Sequence, residues 1–408
     1  MKILILSTHY RTGGAAIAAH RLYSSLKERG ADVHYVHFYG EGGIFERLGF
    51  KGKLLVLMHK AISKMRNVLS VKKGEFHSFS PFSNRHIVRA INAYNADIIH
   101  LHWVCGSFLS YRMISALKGK VHWTLHDLQP VTGGRHYTHD CLGFLEECRN
   151  CPQHKFNDPF GIAHREWKKK RKANLEAQYI GVSNWIREEA AKASVVKQSS
   201  SATVTIPNTL GGEQRQAGAR EHIERVVEQE QDVPLLLYGA QHIQDPRKGF
   251  KELCESLMHI EARVELAVFG NMGANEALNT LPDNIKVHYV GTIRDQQVLH
   301  RLYKQSHLLV FPSMQENLSN IILESLSAST AVVAFDIGGN SDMIEHMVNG
   351  YLAPECTAQS LAEGIKWFLN LTEIEKVALG ENSLKKLQKD FSDEKTIDHL
   401  IRTYTLND

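Results

Sequence analysis

His307-Leu308-Leu309-Val310-Phe311-Pro312-Ser313-Met314-Gln315-Glu316-Asn317-Leu318-Ser319-Asn320-Ile321-Ile322-Leu323-Glu324-Ser325-Leu326 is the stretch that decides how this chain is read. Its first five residues are short, apolar and closed by Pro312, the pattern of a buried parallel strand. Leu318, Ile321, Ile322 and Leu326 then recur at helical spacing. A loop therefore leaves the carboxyl end of a strand and enters a helix, where open α/β sheets hold their ligands. Glu316 falls just before the expected helix and Glu324 about two turns inside it. Eight helical residues rise about 12 Å, the span of a nucleotide sugar from sugar ring to ribose. The first-turn N–H groups and the helix dipole lie between the two carboxylates and suit a diphosphate. An ordinary amphipathic helix with a solvated Glu at each end has the same spacing, so the pair needs support from the rest of the chain.

The chain has 408 residues, a length for two or three domains. At 43% apolar and 23% charged residues it has the composition of a globular enzyme. A net charge of +4, with 23 His uncounted, is too weak to argue for nucleic acid, and no nucleic-acid motif is present. No apolar run reaches the ~18 residues a membrane span needs. Met1 to Ser7 is too short for a leader and is followed at once by His9 and Arg11, so it reads as a first buried strand and the chain as cytoplasmic. Six Cys do not make a disulfide framework at this length.

The α/β pattern runs through both halves. Ile3 to Ser7 reads as a strand, Gly13-Gly14 as a turn, and Ile17, Leu22 and Leu26 as one face of a helix closed by Gly30. Strands follow at Val33–Phe38, Asp97–Leu101, Val121–Leu125, Tyr179–Val182 and Val204–Ile206. The Gly13-Gly14 pair is not the dinucleotide fingerprint. It serves either close strand–helix packing or backbone donors open to a ligand. His102 and His126 both stand where strands end, and Asp127 beside His126 makes a polar pair there. A polar shift over 211–232 marks a domain boundary. Strands then resume at Leu235–Tyr238, Val264–Phe269, Val287–Val290 and Val332–Phe335, with helices over 359–369 and 373–406. The predicted division is 1–205, 206–385, and a C-terminal helix over 386–408 returning to the first domain. The site is expected between the two halves.

Two further features stand out. Residues 49–73 form a basic amphipathic helix, with Lys51, Lys53, Lys60, Lys64 and Arg66 between Leu54, Leu57, Met58, Ile62, Met65 and Leu69. The simpler reading is a packed helix with a solvated outer face; the sharper one is contact with an anionic membrane at the inner face of the cytoplasmic membrane. Lys168 to Lys172 reads as a solvated helix face. Cys141, Cys148 and Cys151, with His136 or His139 just upstream, have the donors for a structural zinc, the alternative being reduced thiols in a loop.

Taken in order, Gly13-Gly14, His126-Asp127, Ile206-Pro207-Asn208, Lys248-Gly249, Glu316-x7-Glu324 and Asp336-Ile337-Gly338-Gly339 resemble the retaining glycosyltransferases of family 4, which have the GT-B fold of two Rossmann-like α/β/α domains. His100-Leu101-His102-Trp103, Trp123 to Asp127 and the Cys cluster are similar to a bacterial exopolysaccharide subgroup of the colanic-acid type. The resemblance implies a UDP- or GDP-sugar donor and a glycan or lipid-linked oligosaccharide acceptor. It implies that Glu316 meets donor-sugar hydroxyls and Glu324 the ribose. Backbone at Asn317, Leu318 and Ser319 would meet phosphate or sugar, Lys248 the diphosphate, and Gly13 and Gly14 the donor or acceptor. His126 would lie beside the transferred sugar, making His126, Lys248 and Glu316 the catalytic set. No catalytic cofactor is implied, and the chain has no Asp-x-Asp. Where the family carries an Arg shortly before the Lys, this chain has Ala240, with Arg247 as the substitute; where related members carry a fourth Cys, it has Arg135. A nucleotide-sugar epimerase of the same fold and a binding protein without turnover are the competing readings.

Overall fold

The structure is a computed structural model that describes residues 1–73, 75–139, 141–173, 175–197, 203–211, 226–273, 278 and 280–405. Most of the polar 211–232 segment, residues 212–225, lies outside them. The chain divides into two compact units, Met1–Pro207 with Ile397–Asp408, and Asn208–Thr396.

The first unit holds a six-stranded parallel sheet, β1 (Lys2–His9), β2 (Asp32–Tyr39), β3 (Ile98–Leu101), β4 (Lys120–Leu125), β5 (Ala177–Gly181) and β6 (Thr203–Thr205), in the order β2-β1-β3-β4-β5-β6. The β1 run Ile3 to Leu6 is wholly buried, because helices cover both faces of such a sheet. Strand order reverses beside β1, so the loops after β1 and β3 diverge and leave a crevice at the carboxyl ends. Ile397, Leu400 and Tyr404 pack in the same core as Ile3, Ile5, Ile98 and Ile180. Tyr404 Oη lies 2.5 Å from the buried His100 Nδ1.

The second unit repeats the architecture with β7 (Leu235–His242), β8 (Val264–Asn271), β9 (Ile285–Gly291), β10 (Leu308–Phe311), β11 (Ala331–Phe335) and β12 (Gly350–Ala353), in the order β12-β11-β10-β7-β8-β9. The four residues of β10 are buried between β7 and β11, as their unbroken apolar run requires. The short β12, which contains a glycine, has no strand signature in the sequence. It forms because Val332 to Phe335 offer it a ladder.

One boundary differs from the sequence reading. Residues 386–390 are the last turn of the helix Glu373–Asp390, which starts at a Thr372–Glu375 capping box. The chain leaves helical geometry at Phe391, and the final helix runs Asp393–Thr405. The apolar period continues across Phe391 and so hid the break.

Candidate donor and acceptor sites

In the second unit the loop after β7 and the loop after β10 are tied together. Asp245 caps a 3-10 turn, Pro246–Lys248, by accepting from the Arg247 N–H. The Arg247 carbonyl accepts from Met314 N at 2.8 Å, and the Lys248 carbonyl from Tyr238 Oη at 3.2 Å. Gly249 follows with φ +67, and a Cβ there would stand 1.8 Å from the Pro312 carbonyl oxygen. Only glycine permits that approach.

This clamp brings Lys248 Nζ to 3.0 Å from Glu316 Oε2, with side chains 30% and 17% exposed. The Phe311 ring lies beneath the ammonium at 6.0 Å. Arg247 instead turns back on Asp245, through Nε at 3.1 Å and Nη2 at 2.5 Å. That pairing outweighs burial and holds the Asp245 carboxyl below its ordinary pKa. Arg247, expected to stand in for the arginine absent at Ala240, thus has its charge directed at Asp245; Ala240 itself is buried.

The helix carrying Glu324 begins at Asn320 rather than just after Glu316. Ser319 caps it, accepting from Ile322 N at 3.3 Å. Half of the Glu316–Glu324 interval is therefore loop, and the 12 Å helical rise does not apply. Asn317, Leu318 and Ser319 are buried in that loop. Glu324 is also buried and accepts from Tyr303 Oη at 3.2 Å. Tyr303 anchors the carboxylate from a neighbouring helix, Gln296–Gln305. Nothing in its sequence spacing announced this.

In the first unit Gly13 caps the helix Gly14–Glu28 with φ +89, and a Cβ there would meet nothing within 4 Å. The turn at Gly13 is thus open and does not serve close strand–helix packing. Polar side chains gather at the ends of β3 and β4. His126 Nε2 lies 2.8 Å from His102 Nδ1, so the partner of His126 is the other strand-end histidine and not Asp127. Burial pulls His126 down to a pKa of about 4 against the Asp127 charge, and burial beside His100 and His126 holds His102 well below the usual imidazole range. Both rings are neutral at pH 7. Asp127 accepts from Trp103 Nε1 at 3.1 Å, Gln129 N at 2.9 Å and His136 Nδ1 at 2.7 Å. Burial raises its pKa, but His136 and the Gln129 N–H more than offset that and hold it below the ordinary value.

His136 is therefore no partner of the cysteines. Its Nδ1 is on Asp127 and its Nε2 is 2.8 Å from Ser78 Oγ. His136, expected as the imidazole of a zinc set with Cys141, Cys148 and Cys151, thus has both ring nitrogens engaged elsewhere. Among the described residues no group of three His, Cys, Asp or Glu side chains is disposed to hold a metal. Cys141, Cys148 and Cys151 line a small cavity together with Arg135, whose buried guanidinium disfavours a second cation there. Burial raises the Cys148 thiol to about 12. Lys170, expected on a solvated face, is buried, donates to the Gln129 carbonyl and is lowered by burial to about 8.

Two family models match this chain. One described as Glycosyltransferase Family 4 spans residues 12–209, and one described as Glycosyl transferases group 1 spans residues 221–370. The chain belongs to these glycosyltransferases. An Escherichia coli K12 protein named as a colanic acid biosynthesis glycosyl transferase is 24% identical over 357 residues, 82% of this chain and 83% of its own length. A Bacillus subtilis 168 protein named for teichuronic acid biosynthesis is 27% identical over 240 residues, 58% of each. A solved glycosyltransferase from Rickettsia africae covers 99% of this chain and 97% of that chain, with TM-score 0.64 and 17% identity. Anabaena HepE, solved with UDP, covers 99% and 100%, with TM-score 0.60 and 14% identity. The glycosyltransferase therefore has the GT-B architecture, with two parallel six-stranded sheets and their helices.

Proposed function

We propose that this glycosyltransferase moves a hexosyl group from a nucleoside diphosphate sugar to a glycan acceptor in bacterial surface-polysaccharide synthesis, with retention at the anomeric carbon and no catalytic metal. The observation that carries this reading is the Lys248–Glu316 pair, 3.0 Å apart beside a capped helix that holds Glu324. In the resting protein Glu316 keeps the ammonium in place. A bound diphosphate would draw Lys248 to the leaving oxygens and release Glu316 to sugar hydroxyls. Positive charge preorganised where the diphosphate leaves is worth about 3–4 kcal/mol per donor in such sites. Glu324, held by Tyr303, would accept from a diol such as ribose. The relatives named for colanic and teichuronic acid synthesis support the acceptor class, and the UDP of HepE supports UDP as the first donor base to try.

His126, at the carboxyl end of β4, supplies a neutral imidazole suited to hydrogen-bonding a neutral sugar hydroxyl. No carboxylate stands as a nucleophile in this reading, and front-face attack assisted by the leaving phosphate accounts for retention. The test is the anomeric configuration of the product, read by proton coupling after reaction with a UDP- or GDP-hexose. An inverted product sinks the retaining mechanism. The Arg247–Asp245 pairing favours a second reading, a nucleotide-sugar binder without turnover. Donor binding with no transfer across a glycan acceptor panel would establish that one.

A further inference from the structure

The helix Phe50–Ser70 packs the wrong way round for a soluble surface helix. Its buried residues are Gly52, Val56 and His59. His59 Nδ1 lies 2.6 Å from Ser107 Oγ, and the Gly52 carbonyl accepts from Asn84 Nδ2 at 3.2 Å. Its apolar stripe faces outward: Phe50 is 82% exposed, Leu57 52%, Met65 55%, Val68 64% and Leu69 65%. At 3.6 residues per turn these side chains and Leu54 fall within an arc of about 120°. Lys53, Lys60 and Lys64 border that arc on one side, Lys51 and Arg66 on the other. No Asp or Glu occurs between Arg47 and Lys73. The surface continues past the helix. Lys155 donates to the Val68 carbonyl at 2.7 Å, and the next residue, Phe156, is 89% exposed.

We infer that this face lies in the interfacial plane of an anionic phospholipid bilayer. An apolar stripe bordered by lysines and free of acidic residues is complementary to lipid chains beneath a negative headgroup layer. The alternative, a second copy of this chain, would have to set the same lysine rows against each other. No helix among the described residues is long and apolar enough to cross a membrane, so the helix lies along it. Its position gives the docking a consequence. Lys60 Nζ sits 3.9 Å from the Tyr39 ring, which is 5.8 Å from His9 at the carboxyl end of β1. The bilayer would therefore border the strand ends that carry the open Gly13 turn, and a lipid-linked acceptor would reach them from the headgroup layer. That last clause rests on the proposed transfer; the docking itself does not.

The test is flotation of the full chain with vesicles of phosphatidylcholine alone or with roughly one third phosphatidylglycerol. The wild type is expected to float with the anionic vesicles, poorly with the neutral ones, and less well in high salt. Leu54→Gln, Leu57→Gln and Met65→Gln together replace exposed side chains and should lower the partition coefficient about tenfold or more while leaving the melting temperature in place. Three results would overturn the inference: no flotation, equal flotation with neutral vesicles, or unchanged flotation of the triple variant. Sedimentation equilibrium showing a wild-type dimer that the triple variant dissociates would also overturn it, assigning the face to a second copy. The melting shift given by UDP without lipid separates the two readings, since it reports donor binding whatever the vesicles show.

Discussion

Replacing Lys248 with Ala separates a catalytic cation from a structural one. In the free protein its pair with Glu316 is partly solvent-exposed, at 30% and 17% of the side chains. Solvent screening then limits its contribution to folding to about 1 kcal/mol. For a unit of this size that is a melting shift of about 2–4 °C. In the transfer step the same ammonium meets charge developing on the leaving diphosphate, where one preorganised donor is worth about 3–4 kcal/mol, a loss of roughly 10²–10³ in kcat/KM. Lys248→Ala should therefore cost far more activity than stability, and Lys248→Arg should restore part of it. The assay is steady-state release of nucleoside diphosphate beside a thermal melt. A fall of less than about tenfold in kcat/KM, or a fall matched by Lys248→Arg and by a large loss of melting temperature, would refute the charge assignment.

Three further outcomes are expected. Gly249→Ala forces a Cβ against the Pro312 carbonyl at φ +67 and should destabilise the second unit by about 2 kcal/mol or more in urea unfolding; an effect below ~0.5 kcal/mol would mean the two loops are not clamped. Tyr303→Phe removes a donor to buried Glu324 and should cost about 1 kcal/mol of stability with weaker nucleoside diphosphate binding by calorimetry; unchanged binding would detach Glu324 from the ribose. Burial depresses His59, His77, His100, His102 and His126 below the ordinary imidazole value of 6.5, with His59 and His126 at about 4. Between pH 6.5 and 4 the unfolded chain then binds protons that the folded one refuses, so stability is full above 6.5 and falls as pH drops toward 4. A melting temperature flat across that window would contradict it, and His126→Gln should make the slope shallower.

Strand-to-helix punctuation was legible wherever an apolar run was short and closed by Pro or Gly, as at Phe311-Pro312. The carboxylates Glu316 and Glu324 were legible as a pair, but not their separation. Ser319 offers a side-chain cap that competes with continuing the helix back to Glu316, and capping chemistry overrode the apolar period. The His102–His126 pair and the Asp127–His136 bond were out of reach, because they depend on the β3–β4 register and on the path of the 128–136 loop. The helix Phe50–Ser70 was read from its period, yet a period fixes two faces without saying which one is buried. Gly52, Val56 and His59, not the leucines, are its buried positions. Lys170 looks solvated within its basic run, whereas helical spacing puts it on the buried face with Ala163 and Trp167.

Calorimetric titration of UDP or GDP, and of the matching nucleotide sugar, into wild type, Glu316→Gln and Glu324→Gln tests the donor site most directly. Glu324→Gln should weaken nucleoside diphosphate and nucleotide sugar alike, by roughly tenfold or more for a lost charge-assisted contact. Glu316→Gln should weaken the nucleotide sugar and leave the nucleoside diphosphate nearly unchanged. If Glu316→Gln weakens both equally, or Glu324→Gln weakens neither, the loop after β10 does not hold the donor as described.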